Sequence, residues 1–244
     1  MSESFSTREI MIAAAAREIC DGEVVFVGMR LPLVAFAVAK ALHAPTAIGV
    51  FENGVLRDRS ATQPIVTMSD PPNLDGALAC TGLLEVMSLL QRGRIDLGFI
   101  GGAEIDRFGN LNTTLTQGVR LPGSGGAADI ASFACRTVII MMHEQRRFQE
   151  QVSYRTSPGY GNGADWRTRI GLPGGGPSKV VTSLGVFGFT AEGEMQLESL
   201  HPGSSLDDVR ANTGWPLLIS ADVGETRAPS IEEIQLIRRF DTLG

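Results

Sequence analysis

The alternation of short apolar strands with an apolar helical segment is the feature that most constrains the fold of this chain. Residues 23–28 (EVVFVG) and 46–51 (TAIGVF) have the β-branched content of strands. Residues 33–42 (LVAFAVAKAL), which lie between them, have a helical pattern. Strands that are apolar along their whole length are buried on both faces, as in parallel sheets. The sequence therefore predicts an α/β fold, with an open, mainly parallel sheet covered by helices on both faces.

The same alternation continues along the chain, without an internal repeat or a clear linker. Residues 74–91 predict a helix that stops at Gly93, and residues 157–179, rich in Gly, Pro, Asn and Arg, predict a long ordered loop. Two further segments predict buried strands: residues 96–101 and 136–142. Three segments predict a few antiparallel edge strands: residues 180–182, 184–189 and 195–200. We therefore predict one domain over residues 1–244.

Hydroxyl side chains mark the expected starts of three helices. The first helix carries charged residues at helical spacing, so we expect an amphipathic helix capped by Ser6 or Thr7. A second helix is expected after Ser204 or Ser205, with acidic residues in its first turn. The last helix, IEEIQLIRRF, is expected to be capped by Ser230.

Composition argues against several functional classes. The net charge is −6 and Lys and Arg form no long runs, which disfavours a nucleic-acid surface. The sequence also lacks the order of a signal peptide and a run of about 18 apolar residues, so no membrane span is expected. The three cysteines lie far apart and outside any zinc-binding spacing, which favours a reducing, cytoplasmic setting: they are Cys20, Cys80 and Cys135.

The tripeptide Glu52-Asn53-Gly54 directly follows the strand at residues 46–51. Ligands of parallel sheets bind outside the carboxyl ends of strands, so Glu52 is well placed for chemistry. Asn-Gly forms tight turns, which would lift the carboxylate out of the sheet. The alternative is that Glu52 is an ordinary solvated turn residue.

A glycine-rich loop, GSGGA at residues 123–127, precedes a helix expected at residues 129–134. Such a loop exposes backbone N–H groups, which can bind a phosphate or the oxyanion formed when a thioester is attacked. The loop lacks the GxxxxGK[ST] pattern, so a nucleotide P-loop is disfavoured. The alternative is a plain glycine-rich turn.

Acidic and amide residues follow the strand at residues 96–101. Glu104 and Asp106 share a side of an extended chain, which is compatible with acid–base chemistry or a metal. We favour a structural role for Asp106 in a turn with Asn110, and we expect Asn112 to support the neighbouring glycine loop. No metal site is expected because the three histidines are not at ligand spacing from these acids: they are His43, His143 and His201.

Paired arginines, Arg146 and Arg147, follow the strand at residues 136–142. Arginine pairs bind carboxylates and phosphates well. We favour the alternative, a solvated face or a subunit contact.

Taken together, segments of this chain resemble the family I CoA-transferases, and in particular the beta subunit of glutaconate CoA-transferase. The resemblance covers nearly the whole chain and rests on the order of the segments rather than on any one of them. They are GMRLPL (28–33), ENG (52–54), FIGGAEIDRFGNLN (99–112), PGSGGAADIAS (122–132), IIMMHEQRRF (139–148), TSPGYGNG (156–163), GLPGGGPSKVVT (171–182), LGVFGF (184–189) and HPGSSLDDVRANTGWPL (201–217).

The resemblance implies the open α/β fold of that family and a separate alpha subunit, in a heterotetramer or heterooctamer. It implies that Glu52 is the nucleophile, forming a glutamyl-CoA thioester while CoA moves between an acyl-CoA and a free carboxylic acid, a class that includes dicarboxylic acids. Gly125 and Gly126 would bind the oxyanion or CoA together with Asn53 and Gly54. Coenzyme A would be a substrate, with no tightly bound cofactor. The alternative is an acyl-CoA hydrolase, decarboxylase or ring-opening lyase on the same fold.

In this interpretation two further side chains support the site. They are Glu104 and Asn112, which lie between the predicted strand at residues 96–101 and the glycine loop.

Overall fold

The computed structural model describes residues 4–116, 118–163 and 165–242. Residues 1–3, 117 and 243–244 of the predicted domain, and Ala164 of the predicted loop, lie outside the described residues. The described chain forms these helices: α1 (Thr7–Arg17), α2 (Leu31–Leu42), α3 (Pro71–Leu74), α4 (Leu83–Gln91), α5 (Ala127–Phe133), α6 (Trp166–Arg169), α7 (Leu206–Ala211) and α8 (Ile231–Phe240). It forms these strands: β1 (Val24–Phe26), β2 (Ile48–Val50), β3 (Val55–Arg57), β4 (Ala79–Cys80), β5 (Leu97–Ile100), β6 (Glu104–Ile105), β7 (Leu111–Asn112), β8 (Leu115–Thr116), β9 (Val119–Arg120), β10 (Arg136–Met141), β11 (Pro177–Thr182), β12 (Gly185–Phe189), β13 (Met195–Leu200) and β14 (Leu218–Glu225).

The chain divides into two compact units. The first unit contains Met1–Phe99 together with Ala228–Gly244, and the second contains Ile100–Arg227. The first unit is discontinuous, because the chain returns to it only at its C-terminal end. The prediction of a single domain over residues 1–244 is not tested by this division and stays a prediction.

The first unit is built around parallel strands. Strand β1 pairs in parallel with β2 and β5, and β3 and β4 extend the sheet by antiparallel pairing. Helices α1, α2 and α8 pack against one another. Helix α2 also packs against β2, since a Cβ atom added at Gly49 would lie 2.7 Å from the Phe36 ring.

In the second unit, β10 and β11 are parallel, β12 and β13 follow by antiparallel pairing, and β14 pairs in parallel with β13. Two short hairpins, β6–β7 and β8–β9, precede α5. These pairings confirm the predicted α/β fold with antiparallel strands added to parallel ones. No helix in the three described ranges is both long and apolar enough to cross a bilayer.

Three predictions of local structure were wrong in part. Residues 74–91 form not one helix but the end of α3, strand β4 and α4; Gly76 has a φ of +66° and Gly82 caps α4. Residues 195–200 and 180–182 form β13 and part of β11. Both strands pair antiparallel with β12 as predicted, but neither is an edge, because β13 also pairs in parallel with β14 and β11 with β10. A parallel pair needs a long crossover. The predicted loop at residues 157–179 provides part of it, and it contains α6 and the start of β11.

Helix α1 is not amphipathic. Its N-terminus is as predicted, because Ser6 and Glu9 form a capping box. Every residue from Glu9 to Ala16 is buried, however, so no polar face remains. Helices α2 and α8 both pack on α1. The four consecutive small alanine side chains of α1 allow neighbouring elements to pack closely against it. The predicted caps Ser205 and Ser230 are confirmed, each in a capping box.

Candidate active site

Glu52 lies in a tight turn that joins β2 to β3 in the first unit. The turn is closed by hydrogen bonds from the Gly54 amide to the Phe51 carbonyl (2.9 Å) and from the Phe51 amide to the Val55 carbonyl (2.9 Å). Phe51 is buried, whereas Glu52 is half-buried. The Glu52 carboxylate has no hydrogen bond or ion pair with any residue that the structure describes. It is therefore not committed to a structural contact within this chain.

Gly54 is the residue that makes this turn possible. Its φ is +98°, a conformation that favours glycine. A Cβ atom here would lie 2.3 Å from the Thr81 carbonyl oxygen, closer than any real contact. Thr81 also donates to the Gly54 carbonyl, from its amide (2.8 Å) and its hydroxyl (2.9 Å). The turn is thus fixed against the chain that follows β4.

Asn53 anchors the other side of the turn. Its Nδ2 donates to the Met68 carbonyl at 2.7 Å, and its Oδ1 accepts a hydrogen bond from the Val55 amide at 3.4 Å. Asn53 and Gly54 therefore hold the backbone on the C-terminal side of Glu52. The Asn53 side chain and the Gly54 backbone both form hydrogen bonds within this chain. The predicted contact of these residues with an oxyanion or CoA stays a prediction.

The predicted glycine loop lies in the second unit as a turn before α5. The Ala127 amide donates to the Ser124 carbonyl (3.0 Å), and Gly126 caps α5. Gly125 is exposed and has a φ of +50°, while Gly126 is buried. The N–H groups of Gly125 and Gly126 donate to no acceptor within the described part of the chain. Neighbouring amides that lack an internal acceptor can bind an anion.

Glu104 and Asn112 are brought together by the pairing of β6 with β7. Asn112 Nδ2 donates to Glu104 Oε2 (2.7 Å) and to the Leu115 carbonyl (2.7 Å). Glu104 also accepts hydrogen bonds from Thr116 and from the amide and hydroxyl of Ser153. Burial raises the pKa of Glu104, but these hydrogen bonds together outweigh it, so its pKa is lowered overall. The Glu104 carboxylate is a structural acceptor.

This cluster supports the start of the glycine loop. Asn112 Oδ1 accepts hydrogen bonds from the Thr114 and Leu115 amides. The backbone carbonyls of Thr113 and Thr114 in turn accept from the Gly123 and Leu121 amides (both 2.8 Å). The predicted support of the loop by Asn112 is thus indirect, because it passes through the backbone of Thr113 and Thr114.

Asp106 belongs to a separate cluster from Glu104. Its carboxylate accepts hydrogen bonds from the amides of Phe108 and Asn110 and from Asn110 Nδ2. Burial raises the pKa of Asp106 in spite of these contacts. The two carboxylates do not form an acid–base pair, and the structural role that we favoured for Asp106 fits this geometry.

The arginines that follow β10 pair with a neighbouring acid. Arg146 and Arg147 both donate to Glu144 Oε2, and Arg147 also donates to the Gly102 carbonyl. Arg146 is exposed. These contacts match the favoured interpretation of a solvated face for Arg146.

His143, next to these arginines, is buried. Its ring stacks on Phe148 with a centroid distance of 3.8 Å, and its Nε2 lies 3.0 Å from the Thr213 hydroxyl oxygen. That hydroxyl donates to the Val209 carbonyl, so it can accept a hydrogen bond from Nε2 of the neutral His143 ring. Burial lowers the pKa of His143 from 6.5 to about 4.

This pKa predicts a pH-dependent stability. The unfolded chain binds a proton on His143 near pH 6.5, whereas the folded chain does so only near pH 4. Stability from this group is therefore fully present above pH 6.5 and is lost as the pH falls towards 4, by about 3 kcal/mol. Urea unfolding at pH 7, 6, 5 and 4.5 should show a flatter dependence in His143→Gln than in the parent. Burial also lowers the pKa of His201, so part of the slope remains. Equal slopes in both proteins would contradict this.

Arg167 is a structural residue that no sequence pattern singled out. Its side chain is buried, and within the described part of the chain its guanidinium donates only to carbonyl oxygens. The acceptors lie at the end of α5 and in the glycine-rich loops around it: Ala131, Ser132, Pro158, Gly159 and Gly174. One sequence feature could have indicated its burial: loops rich in Gly and Pro leave backbone carbonyls without hydrogen-bond donors, which a buried arginine can supply.

Comparisons with known proteins agree with one another. Residues 8–212 match the protein-family model described as Coenzyme A transferase. The chain is 37% identical over 245 residues to the B subunit of 3-oxoadipate CoA-transferase from Pseudomonas knackmussii, with 98% of this chain and 94% of that protein covered.

Solved structures extend this similarity to the fold. Glutaconate coenzyme A-transferase from Acidaminococcus fermentans superposes with a TM-score of 0.90 at 34% identity, covering 98% of this chain and 95% of that one. The decarboxylase AibA/AibB superposes with a TM-score of 0.84 at 26% identity, covering 99% and 97%.

Proposed function

Because this chain belongs to the coenzyme A transferase family, as a beta-type subunit, we propose that Glu52 is the nucleophilic carboxylate of its CoA-transferase reaction. The observation that carries this proposal is the position of Glu52. It follows a parallel strand, sits in a turn fixed on both sides, and makes no contact that would occupy its carboxylate among the described residues. A fixed carboxylate that is not otherwise engaged suits a nucleophile.

The proposed reaction exchanges one activated acyl bond for another. The Glu52 carboxylate attacks the carbonyl of an acyl-CoA, forming a mixed anhydride and releasing CoA thiolate. The thiolate then attacks the Glu52 carbonyl, forming a glutamyl-CoA thioester and releasing the first acid. The acceptor carboxylate repeats these steps in reverse, leaving Glu52 free. An energy-rich bond is kept throughout, so neither ATP nor a metal is needed, and the kinetics are ping-pong.

The developing oxyanions need hydrogen-bond donors. We assign this role to the Gly125 and Gly126 amides, which lack acceptors within the described residues. Such preorganised amides stabilise a developing charge without reorganising during the reaction. Glu104 and Asn112 would act indirectly, by holding the loop.

The proposed substrates and partner are those that the relatives' names indicate. 3-Oxoadipate and glutaconate are both dicarboxylates, so we propose a dicarboxylic acid as one of the two acids exchanged. Both of these relatives are B subunits by name, so we propose a separate alpha subunit in a hetero-oligomer, with acyl-CoA as substrate rather than as a resident cofactor.

The direct test is to trap the glutamyl-CoA thioester. The chain is co-expressed with its alpha subunit, incubated with an acyl-CoA and treated with borohydride, which reduces a thioester but not a free carboxylate. Mass spectrometry should then find Glu52 converted to the primary alcohol. This alcohol should be absent when an excess of the acceptor acid is added before the borohydride. Recovery of unmodified Glu52 from a complex that is turning over would refute the proposal.

A decarboxylase is the second candidate, because the fold of AibA/AibB matches this chain over 99% of its length. A decarboxylase would release CO₂ from an acyl-CoA without any acceptor acid. Measuring CO₂ in the absence of an acceptor separates the two activities, because a decarboxylase releases CO₂ and a transferase does not.

A further inference from the structure

Beyond the turn itself, a chain of buried polar contacts connects Glu52 to the segment that follows β3. Asn53 and Asn73 donate from their side-chain amides to the same acceptor, the Met68 carbonyl, at 2.7 and 2.6 Å. Asn73 is completely buried. The Met68 carbonyl is thus held between two amides, one of which belongs to the residue after Glu52.

Arg57 donates hydrogen bonds to the same segment, which lies between β3 and β4. It lies at the end of β3 and is 2% exposed, and among the described residues its guanidinium donates only to carbonyl oxygens. Its Nη1 donates to the Asn73 carbonyl at 2.7 Å, and the other acceptors are the carbonyls of Arg59, Ser60, Pro72 and Asp75. Both ends of the segment between β3 and β4 therefore converge on one buried cation.

Burying these polar groups costs free energy of folding. Arg57 forms no ion pair among the described residues, so its burial costs hydration, and burial lowers its pKa although the charge of the nearby Asp75 opposes this shift. Asn73 Oδ1 is buried without a hydrogen-bond partner among the described residues. The polar cluster holds the segment between β3 and β4 in one conformation. In that conformation the Met68 carbonyl accepts the hydrogen bond from Asn53 in the turn.

We infer that Arg57 and Asn73 are positioning residues for Glu52, acting through the Met68 carbonyl and Asn53. The inference rests on the proposed role of Glu52. Arg57 fixes the backbone of Asn73, Asn73 fixes the Met68 carbonyl, and that carbonyl fixes the Asn53 side chain. The turn and its carboxylate then have a single position relative to the sheet.

The test is a double-mutant cycle on the two amides, in the complex with the alpha subunit. Asn73→Ala should lower kcat per active site by about ten- to a hundred-fold, as expected for a carboxylate displaced by up to about 1 Å. KM should change by less than about twofold. Asn53→Ala should have a similar effect, and the double variant should be no worse than the more impaired single variant, because both act on one carbonyl.

Lys40→Met is the matched control. Lys40 is a buried cation of the same unit that also donates to carbonyls, those of Pro45 and Ala47, before β2. Its loss should lower stability but leave kcat per active site unchanged. Active sites are counted by borohydride trapping, so loss of folded protein is separated from slower chemistry. An unchanged kcat per site in Asn73→Ala, an equal loss in Lys40→Met, or additive effects in the double variant would each overturn the inference.

A second readout does not depend on the chemistry. The Gly54 amide donates to the Phe51 carbonyl within the turn, so its hydrogen exchange reports the order of the turn. Exchange should be faster in Asn73→Ala than in Lys40→Met at equal global stability. Absence of trapped Glu52 in the parent protein would refute the proposed function, on which the inference rests. Unchanged exchange at Gly54 in a protein whose Glu52 is trapped would refute the positioning route alone.

Discussion

Replacing Glu52 with glutamine should lower kcat for CoA transfer by at least about 10⁴-fold, since the reaction loses its nucleophile. Glutamine keeps the size of the side chain but cannot form the anhydride or the thioester. The turn should be unaffected, because its hydrogen bonds use only the backbone of residues 51 and 54–55 and the side chain of Asn53. The measurement is kcat in the co-expressed complex, together with the melting temperature.

Glu85→Gln is a suitable control for this substitution. Glu85 is an exposed glutamate of the same unit that caps α4 through the Gly82 amide. It should lose some helix stability and no transfer activity. Activity of Glu52→Gln within about tenfold of the parent would mean that another group carries CoA.

Substituting alanine for Gly54 should unfold the turn and cost more than about 2 kcal/mol of stability. Two effects combine: the φ of +98° is unfavourable for alanine, and the new methyl group would lie 2.3 Å from the Thr81 carbonyl oxygen. A backbone carbonyl cannot rotate away as a flexible side chain can, so β4 or the turn must shift. We therefore expect transfer activity to fall together with stability, measured by urea unfolding and by kcat.

Gly93→Ala separates the cost of backbone strain at a positive φ from the cost of a steric clash. Gly93 also has a positive φ, +63°, but a Cβ atom there would meet nothing within 4 Å. Its substitution should cost about 1 kcal/mol and leave kcat unchanged. If Gly54→Ala were no more destabilising than Gly93→Ala, the contact with Thr81 would not constrain the turn.

Much of the fold could be predicted because local and global signals agree. The apolar strands at residues 23–28 and 46–51 and the caps Ser205 and Ser230 depend on neighbouring residues alone. The turn at Glu52 could also be predicted, since Asn-Gly has few other conformations. The helix predicted at residues 74–91 failed because strand β4 forms only by pairing with β3, a contact that helical periodicity does not encode.

The supporting contacts of the candidate site could not be predicted. Arg57 and Arg167 look like surface residues in the sequence, yet both are buried among carbonyls supplied by segments up to 36 residues away. Only the folded chain shows which carbonyls lack donors. The pairing of Glu104 with Asn112 follows from the register of β6 and β7, which alternation in two-residue strands is too short to specify.

The discontinuity of the first unit has a consequence for synthesis. Helix α8 packs against α1 and α2, and Arg8 and Arg17 form ion pairs with Asp241 and Glu233. During synthesis α1 and α2 therefore cannot gain their contacts with α8 until residues 231–240 have been made, while residues 100–227 are continuous and can condense earlier. A nascent polypeptide halted before residue 228 would leave the α1–α2 pair without its cover and open to chaperones and proteases.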